Sequence, residues 1–443
     1  MKRKLKIAIV IRSIYFTRGG IEFFGSNLAN WLTQLGHSIL VLSAAPRSSN
    51  DQPAVPLNSS IKQIHFSAET VFKTRQDLLD FDADLCVALY SGEGALFWLQ
   101  VLKETGIPLL YSEHSNPFVI IKKHLGNLER NCLLICSDTI HLLAKEFIES
   151  VPAKEQYKVW HIPNFCRYSI SKIDRADRRE RVLLSLGRLD RNSKQLHLLI
   201  DAFALIKNDY PCWRLQIWGE GEDYHRLQSL IQKKDLNEVV QLKGETTEAE
   251  LQYRASDLFC IPSQYEGFGL TVVEAMAHGL PVIGFAECSG VNWIVQDGMN
   301  GVLAPEMSAT SLAQALSKLM GDDELRQKMG DAALVRAADF DKEAILTQWE
   351  KMIYECASHK GNTALQRMIT DSKKQESNEA QLNLLWRFNA TFEERMEYFH
   401  YPLVQYVHYK RNKWFVKWPW KAILFFWKTK MRLKSLFQNN LDR

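Results

Sequence analysis

Residues 263–285 read SQYEGFGLTVVEAMAHGLPVIGF. A glycine-containing turn, a helix start near Leu270 and a short apolar run, PVIGF (281–285), follow one another without a spacer. A continuous apolar run of that length suits a parallel strand buried on both faces, with a helix as its crossover. The alternation extends upstream through VLLSLGRL (182–189), LLIDAFALI (198–206), RLQIWGEG (214–221), VVQLKGE (239–245) and DLFCIPS (257–263). Downstream, the helix-like FDKEAILTQWEKMIYECA (340–357) closes the run.

The N-terminal part repeats the pattern. KIAIVI (6–11) reads as a buried strand, and SIYFTRGGIE as a loop containing Gly19 and Gly20. FFGSNLANWLTQLG (23–36) has helical apolar spacing at Phe23, Leu28, Trp31, Leu32 and Leu35, with Gly36 as C-cap. Strands are expected at HSILVLSA (37–44), ADLCVAL (83–89), IPLLYSE (107–113), NCLLICS (131–137) and KVWHIPN (158–164). The charged SKIDRADRRER (171–181) reads as an interdomain linker. Two consecutive strand–helix runs imply an α/β protein of two doubly wound, Rossmann-like domains facing a cleft. The expected divisions are a first domain at 1–168, a second at 180–340 and a closing helix at 341–357. A polar connector at 358–380 and a helical, basic and aromatic tail at 381–443 follow.

The chain's 443 residues are 46% hydrophobic, 24% charged and 11% aromatic, which excludes a disordered chain, a collagen-like fibre and a small disulfide scaffold. No apolar run approaches the roughly 20 residues needed to span a bilayer as a helix. The basic start MKRKLKIAIVIRS has too short an apolar stretch for a secretory signal, so a cytoplasmic location is expected. Cys86, Cys132, Cys136 and Cys260 sit inside apolar runs, and no second Cys or His pair lies at metal-site spacing. Net charge is +4, but residues 401–443 hold ten Lys/Arg against Asp442 alone, or +9, leaving −5 on the rest. A basic tail on a mildly acidic body points to an anionic partner.

Within 263–285, Glu266 and Glu274 stand eight residues apart, at the start of the helix and two turns further in. Gly267 and Gly269 let backbone amides approach a ligand, and a helix N-terminus already favours an anion. A carboxylate at the helix start can accept sugar hydroxyls, and one two turns on can reach a ribose diol. The same two residues also suit a helix cap and a satisfied buried polar contact.

This segment resembles the E-x7-E signature of retaining GT-B glycosyltransferases, especially glycosyltransferase family 4. LGRLDRNSKQLHLLIDAF (186–203) resembles the family's donor-phosphate segment, and WRLQIWGEGEDYHRLQSLI (213–231) its G-x-G turn. IVQDGMNGVLAP (294–305) and HIPNF (161–165) resemble further family turns, so the resemblance spans about residues 5–357. It implies a nucleotide-sugar donor whose departing diphosphate is clamped by Arg188 and Lys194. The clamp suits the chemistry, because negative charge grows there as the glycosidic bond breaks. Glu266 would then bind the transferred sugar, Glu274 the ribose hydroxyls, and the backbone at Phe268, Gly269 and Leu270 the sugar or phosphate. Gly19 and Gly20 match the glycine-rich loop that floors the cleft, and His114 the histidine near the donor sugar. Gln195 departs from the pattern, since glycine is common after the lysine. No Asp-x-Asp metal motif stands in the donor region, so neither metal nor cofactor is expected.

In the tail, Trp420, Leu424, Trp427 and Met431 form one stripe on a helix, flanked by Lys421, Lys428 and Arg432. Trp beside basic residues is the pattern of an interfacial helix on an anionic bilayer, whereas no base-reading motif accompanies the charge. The reading is a peripheral glycosyltransferase on the inner face of the cytoplasmic membrane. Its acceptor would be a glycan or lipid-linked glycan in bacterial surface polysaccharide or lipopolysaccharide synthesis. Nucleotide-sugar 2-epimerases share the architecture, and a non-catalytic scaffold that recruits transferases to the membrane is a third class.

Overall fold

The computed structural model describes residues 3–374, apart from 16–19, 44–50, 52, 54, 67–69, 90–94, 120–125, 174 and 176–179. Gly19 and the tail at 381–443 therefore lie outside the described residues. Among the described residues no helix is long and apolar enough to cross a membrane.

Two wholly parallel sheets organise the chain. The first takes β1 (Lys6–Val10), β2 (Ser38–Ser43), β3 (Lys62–His65), β4 (Leu85–Ala88), β5 (Leu109–Glu113), β6 (Thr139–Leu142) and β7 (Val159–His161) in the order β3-β2-β1-β4-β5-β6-β7. The second takes β8 (Arg181–Leu186), β9 (Trp213–Trp218), β10 (Val240–Leu242), β11 (Leu258–Cys260), β12 (Val282–Phe285) and β13 (Gly301–Ala304) in the order β10-β9-β8-β11-β12-β13. β4, β5, β11 and β12 are buried along their whole length, as a central parallel strand covered on both faces must be. β9 instead alternates, burying Trp213, Leu215 and Ile217. Pairing keeps the apolar residues level, with Ile7 opposite both Ile39 and Leu85, and Phe259 opposite both Leu184 and Val282.

Strand order reverses between β1 and β4 in one sheet and between β8 and β11 in the other. Loops leaving the carboxyl ends of the two strands at such a point diverge, and the crevice between them is where ligands bind in doubly wound folds.

Two expectations need correction. NCLLICS is not a strand: it ends the helix Gly126–Cys136, and the strand β6 follows it at Thr139. A short apolar run has no period that separates a strand from a buried helix. Arg130, Cys132, Leu133, Leu134 and Cys136 are buried while Asn131 and Ile135, one turn apart, are less so, which is a helix against a sheet. The helix Lys342–Ala357, expected to close the second run, instead returns to the first sheet. Asp341 caps its first turn by accepting from the Ala344 amide at 2.9 Å. Trp349 is fully buried, with its ring 5.0 Å from that of Phe24 and 4.5 Å from that of His141. Tyr354 donates to the Arg3 carbonyl at 2.7 Å. The outgoing and returning chains lie side by side, since the Cys166 amide donates to the Phe340 carbonyl at 2.9 Å.

Because Trp349 sits in the first sheet's core, Trp349→Ala should cost about 3–5 kcal/mol in urea unfolding. A loss below ~1 kcal/mol, the range of surface changes, would place that helix outside the core.

Candidate active site

The loop after β8 carries Arg188 and Lys194. Its start is welded to the loop after β9: the Gly187 amide donates to the Trp218 carbonyl at 3.0 Å and the Leu189 amide to that of Glu220 at 2.9 Å. The backbones touch so closely that a Cβ at Gly219 would lie 1.9 Å from the Gly187 carbonyl oxygen. Asp190 then folds the loop over, accepting from the Asn192 amide at 2.8 Å and the Ser193 hydroxyl at 2.7 Å. Desolvation opposes ionisation there, but these bonds and the nearby Arg188 charge hold its carboxyl below the usual range. Gln195 sits at φ +47°, a left-handed conformation that glycine adopts at no steric cost. Lys194 beside it still reaches its partner.

That partner is Glu266, in the loop after β11. Lys194 Nζ donates to Glu266 Oε1 at 2.6 Å, and the Ser263 hydroxyl donates to the same oxygen at 2.7 Å. The two side chains keep 19% and 15% of their exposure, so the pair is accessible from the crevice. The Gln264 amide donates to the Ser193 carbonyl at 2.7 Å and ties the two loops together. Phe268 turns inward, its ring 5.6 Å from that of Phe340 and 5.8 Å from that of Trp293. This anchors the backbone where the helix Leu270–Ala277 begins, with Gly269 as its N-cap. The first amides of a helix have no acceptor within it and carry the positive end of its dipole.

The first domain contributes the opposite wall. Gly20 opens the helix Gly20–Gln34, and a Cβ there would lie 2.7 Å from Leu270 Cδ1. Glu22, in its first turn, is buried, and desolvation raises its pKa against the pull of its own backbone amide, Arg12 and Arg188. The exposed Arg188 guanidinium is thus within electrostatic reach of the first domain.

His114 follows β5 and is 8% exposed, with neither ring nitrogen hydrogen-bonded among the described residues. Its ring lies 5.1 Å from that of Phe24 and 5.8 Å from that of His141. Burial lowers its pKa to about 4, so it is neutral at neutral pH. Glu113 points the other way, into a buried bidentate pair with Arg130 at 2.9 and 2.7 Å.

Glu274 is not part of the Lys194–Glu266 contact. It is buried, accepting at Oε2 from the Tyr253 hydroxyl at 2.8 Å and facing Arg167 Nε across 3.6 Å at Oε1. Desolvation raises its pKa although Arg167 and Tyr253 oppose the rise. Arg167 in turn covers the Phe23 ring at 4.2 Å. Tyr253 and Arg167 are functional candidates that the sequence reading missed. Tyr253 stands in the short helix AELQYRA with no motif to mark it, whereas Arg167 follows HIPNF closely enough to have been considered.

Two loops from one switch point thus meet a helix start and a histidine from another domain. Residues 168–336 match the family profile of glycosyl transferases group 1. The chain is a glycosyltransferase of the GT-B fold. An uncharacterized glycosyltransferase of Haemophilus influenzae is 26% identical over 79% of the transferase and 99% of its own length. The phosphatidyl-myo-inositol mannosyltransferase of Mycobacterium leprae is 22% identical over 81% of the transferase and 98% of its own length. The solved structure of Anabaena HepE in complex with UDP-glucose has a TM-score of 0.67 at 20% identity, covering 79% of the transferase and 99% of that chain. The solved structure shows the fold, and the family profile with the named transferases supports the general reaction class.

Two of the buried histidines, His114 and His141, give the transferase an acid limit. Above the ordinary His value of 6.5 neither state carries the proton. As pH falls toward 4, the unfolded chain takes up protons that His114 refuses in the fold, so stability is lost in that window. His141, whose pKa burial also lowers, acts in the same direction. Urea unfolding across pH 7 to 4 should show the decline, and His114→Gln should flatten part of it. A profile for His114→Gln parallel to that of the parent would show that His114 is not held neutral by burial.

Proposed function

We propose that the protein is a retaining glycosyltransferase that moves a sugar from a nucleotide-sugar donor to a glycan or lipid-linked glycan acceptor. The acceptor would belong to bacterial surface polysaccharide or lipopolysaccharide synthesis. The observation that carries the reading is the Lys194–Glu266 contact at 2.6 Å, in the crevice where strand order reverses between β8 and β11. A cation beside a carboxylate there offers one group for a leaving phosphate and another for sugar hydroxyls.

In this reading Arg188 and Lys194 hold the diphosphate. Lys194 leaves Glu266 for the phosphate as the donor enters, and Glu266 turns its oxygens to the sugar. The amides at Phe268, Gly269 and Leu270 complete the anion site at the helix start. As the glycosidic bond lengthens, charge accumulates on the diphosphate, and these groups stabilise it most when it is most negative. The acceptor hydroxyl arrives on the face that the phosphate leaves and gives its proton to the departing phosphate oxygen, so the anomeric configuration is kept. Gly20 brings the first domain's backbone to the floor of the crevice, with Gly19 next to it in sequence. Neutral His114 supplies a ring beside the sugar. Glu274 would serve the ribose hydroxyls, with Tyr253 and Arg167 holding its carboxylate in place until the donor arrives. The UDP-glucose bound by HepE and the lipid named in the mannosyltransferase of M. leprae support the donor and acceptor classes.

The basic tail adds a location, peripheral on the inner face of the cytoplasmic membrane. Its +9 and its Trp-bearing stripe suit an anionic surface that the −5 body would not approach.

Two tests follow. Arg188→Ala and Lys194→Ala should each lower turnover of the best nucleotide sugar from a panel by at least ~10²-fold with little change in stability. Near-parental turnover in both would remove the clamp. A chain ending at residue 400 should stay folded yet no longer sediment with vesicles containing phosphatidylserine. Binding by the full chain should weaken, without vanishing, as salt rises. Equal sedimentation of both forms would refute the tail's role.

A further inference from the structure

Asn116, two residues past His114 in the first domain, is 4% exposed and reaches into the second domain. Its Nδ2 donates to the Ser289 hydroxyl at 2.6 Å and to the Glu266 carbonyl at 3.3 Å. Its Oδ1 accepts from the Phe118 amide at 3.0 Å, which fixes the orientation of the carboxamide. Ser289 itself accepts the Glu266 amide at its carbonyl, at 3.0 Å. The backbone of Glu266 is therefore held on both sides, by Ser289 at the N–H and by Asn116 at the carbonyl. Gly267 allows this approach, because a Cβ there would lie 2.4 Å from the His114 carbonyl oxygen.

The side chain of Glu266 is anchored entirely within the second domain, on Lys194 and Ser263. Its backbone is anchored partly on the first. We propose that Asn116 is a positioning residue that sets the Glu266 carboxylate only when the two domains are together. The proposal rests on the reading of Glu266 as the group that binds the transferred sugar. Separation of the domains withdraws the Asn116 amide from the Glu266 carbonyl and from Ser289. The loop 264–267 then loses one of its fixed points, and the carboxylate loses its aim. Closure and correct placement of the sugar become one event, so a donor bound to an open molecule is not committed to reaction. The carboxamide is suited to this task, since it donates two bonds and accepts one without charge in a buried place.

The test compares binding of a nucleoside diphosphate with binding of its intact nucleotide sugar by calorimetry. The donor is the one from a panel of UDP- and GDP-sugars that the wild-type protein turns over. Asn116→Ala should leave diphosphate affinity within about twofold of the parent, because the Lys194 and Arg188 loop is untouched. It should reduce the affinity of the nucleotide sugar relative to that of the diphosphate, and lower kcat by ~10- to 100-fold, as small misplacements of reacting groups do. Ser289→Ala, which keeps the Asn116 side chain, should show the same pattern more weakly and serves if Asn116→Ala does not fold. In a Glu266→Gln background, where the sugar contact is already lost, Asn116→Ala should change the ratio no further. Full additivity of the two substitutions, or an Asn116→Ala ratio equal to the parent's, would overturn the positioning role. A Glu266→Gln protein with parental ratio and kcat would instead overturn the sugar-binding reading on which it rests.

Discussion

The Lys194–Glu266 contact is the constraint around which the second domain is arranged. An ammonium and a carboxylate 2.6 Å apart and both largely enclosed are stabilised only if each has its remaining valences met. The loops meet part of that demand with their own side chains. Asp190 folds the β8 loop so that Lys194 points back over it, and Ser263 gives Glu266 Oε1 a second donor. The Gln264–Ser193 bond sets the spacing between the loops. Each of these elements leaves the carboxyl end of a strand at the reversal point, which is why one contact can depend on two distant parts of the chain.

The cleft has a second character, which is its division of charge. The second domain brings the exposed cation Arg188, and the first brings a buried Glu22 within its field. His114 stays neutral because burial disfavours its charged form: neither ring nitrogen is hydrogen-bonded among the described residues, and Phe24 lies against the ring. A neutral ring does not compete with cations for an anion. In the proposed reaction this leaves the positive charge concentrated where the departing diphosphate would be.

Much of this was legible because parallel α/β units repeat one pattern. The apolar runs of β1, β2, β8 and β12, the glycine turns after β8 and β9, and the spacing of Glu266 and Glu274 are all short-range features. What escaped was long-range or ambiguous. NCLLICS has no periodicity to tell a helix from a strand, and only the sheet packed against it decides. The return of Lys342–Ala357 to the first sheet depends on Trp349 finding Phe24 and His141 more than 200 residues away in sequence. Asn116 and Tyr253 are single polar residues whose partners lie 150 and 21 positions off, and no local pattern announces such pairs. Gln195 shows the converse: its unusual backbone angle is tolerated where a glycine was the expected residue.

The most direct measurement is a crystal structure of the full chain with its nucleotide sugar bound. In that complex Lys194 Nζ should have moved from Glu266 Oε1 to a phosphate oxygen, Glu266 should face hydroxyls of the sugar, and Asn116 should still hold the Glu266 carbonyl. A nucleotide sugar bound elsewhere, with the Lys194–Glu266 pair still closed at 2.6 Å, would contradict it.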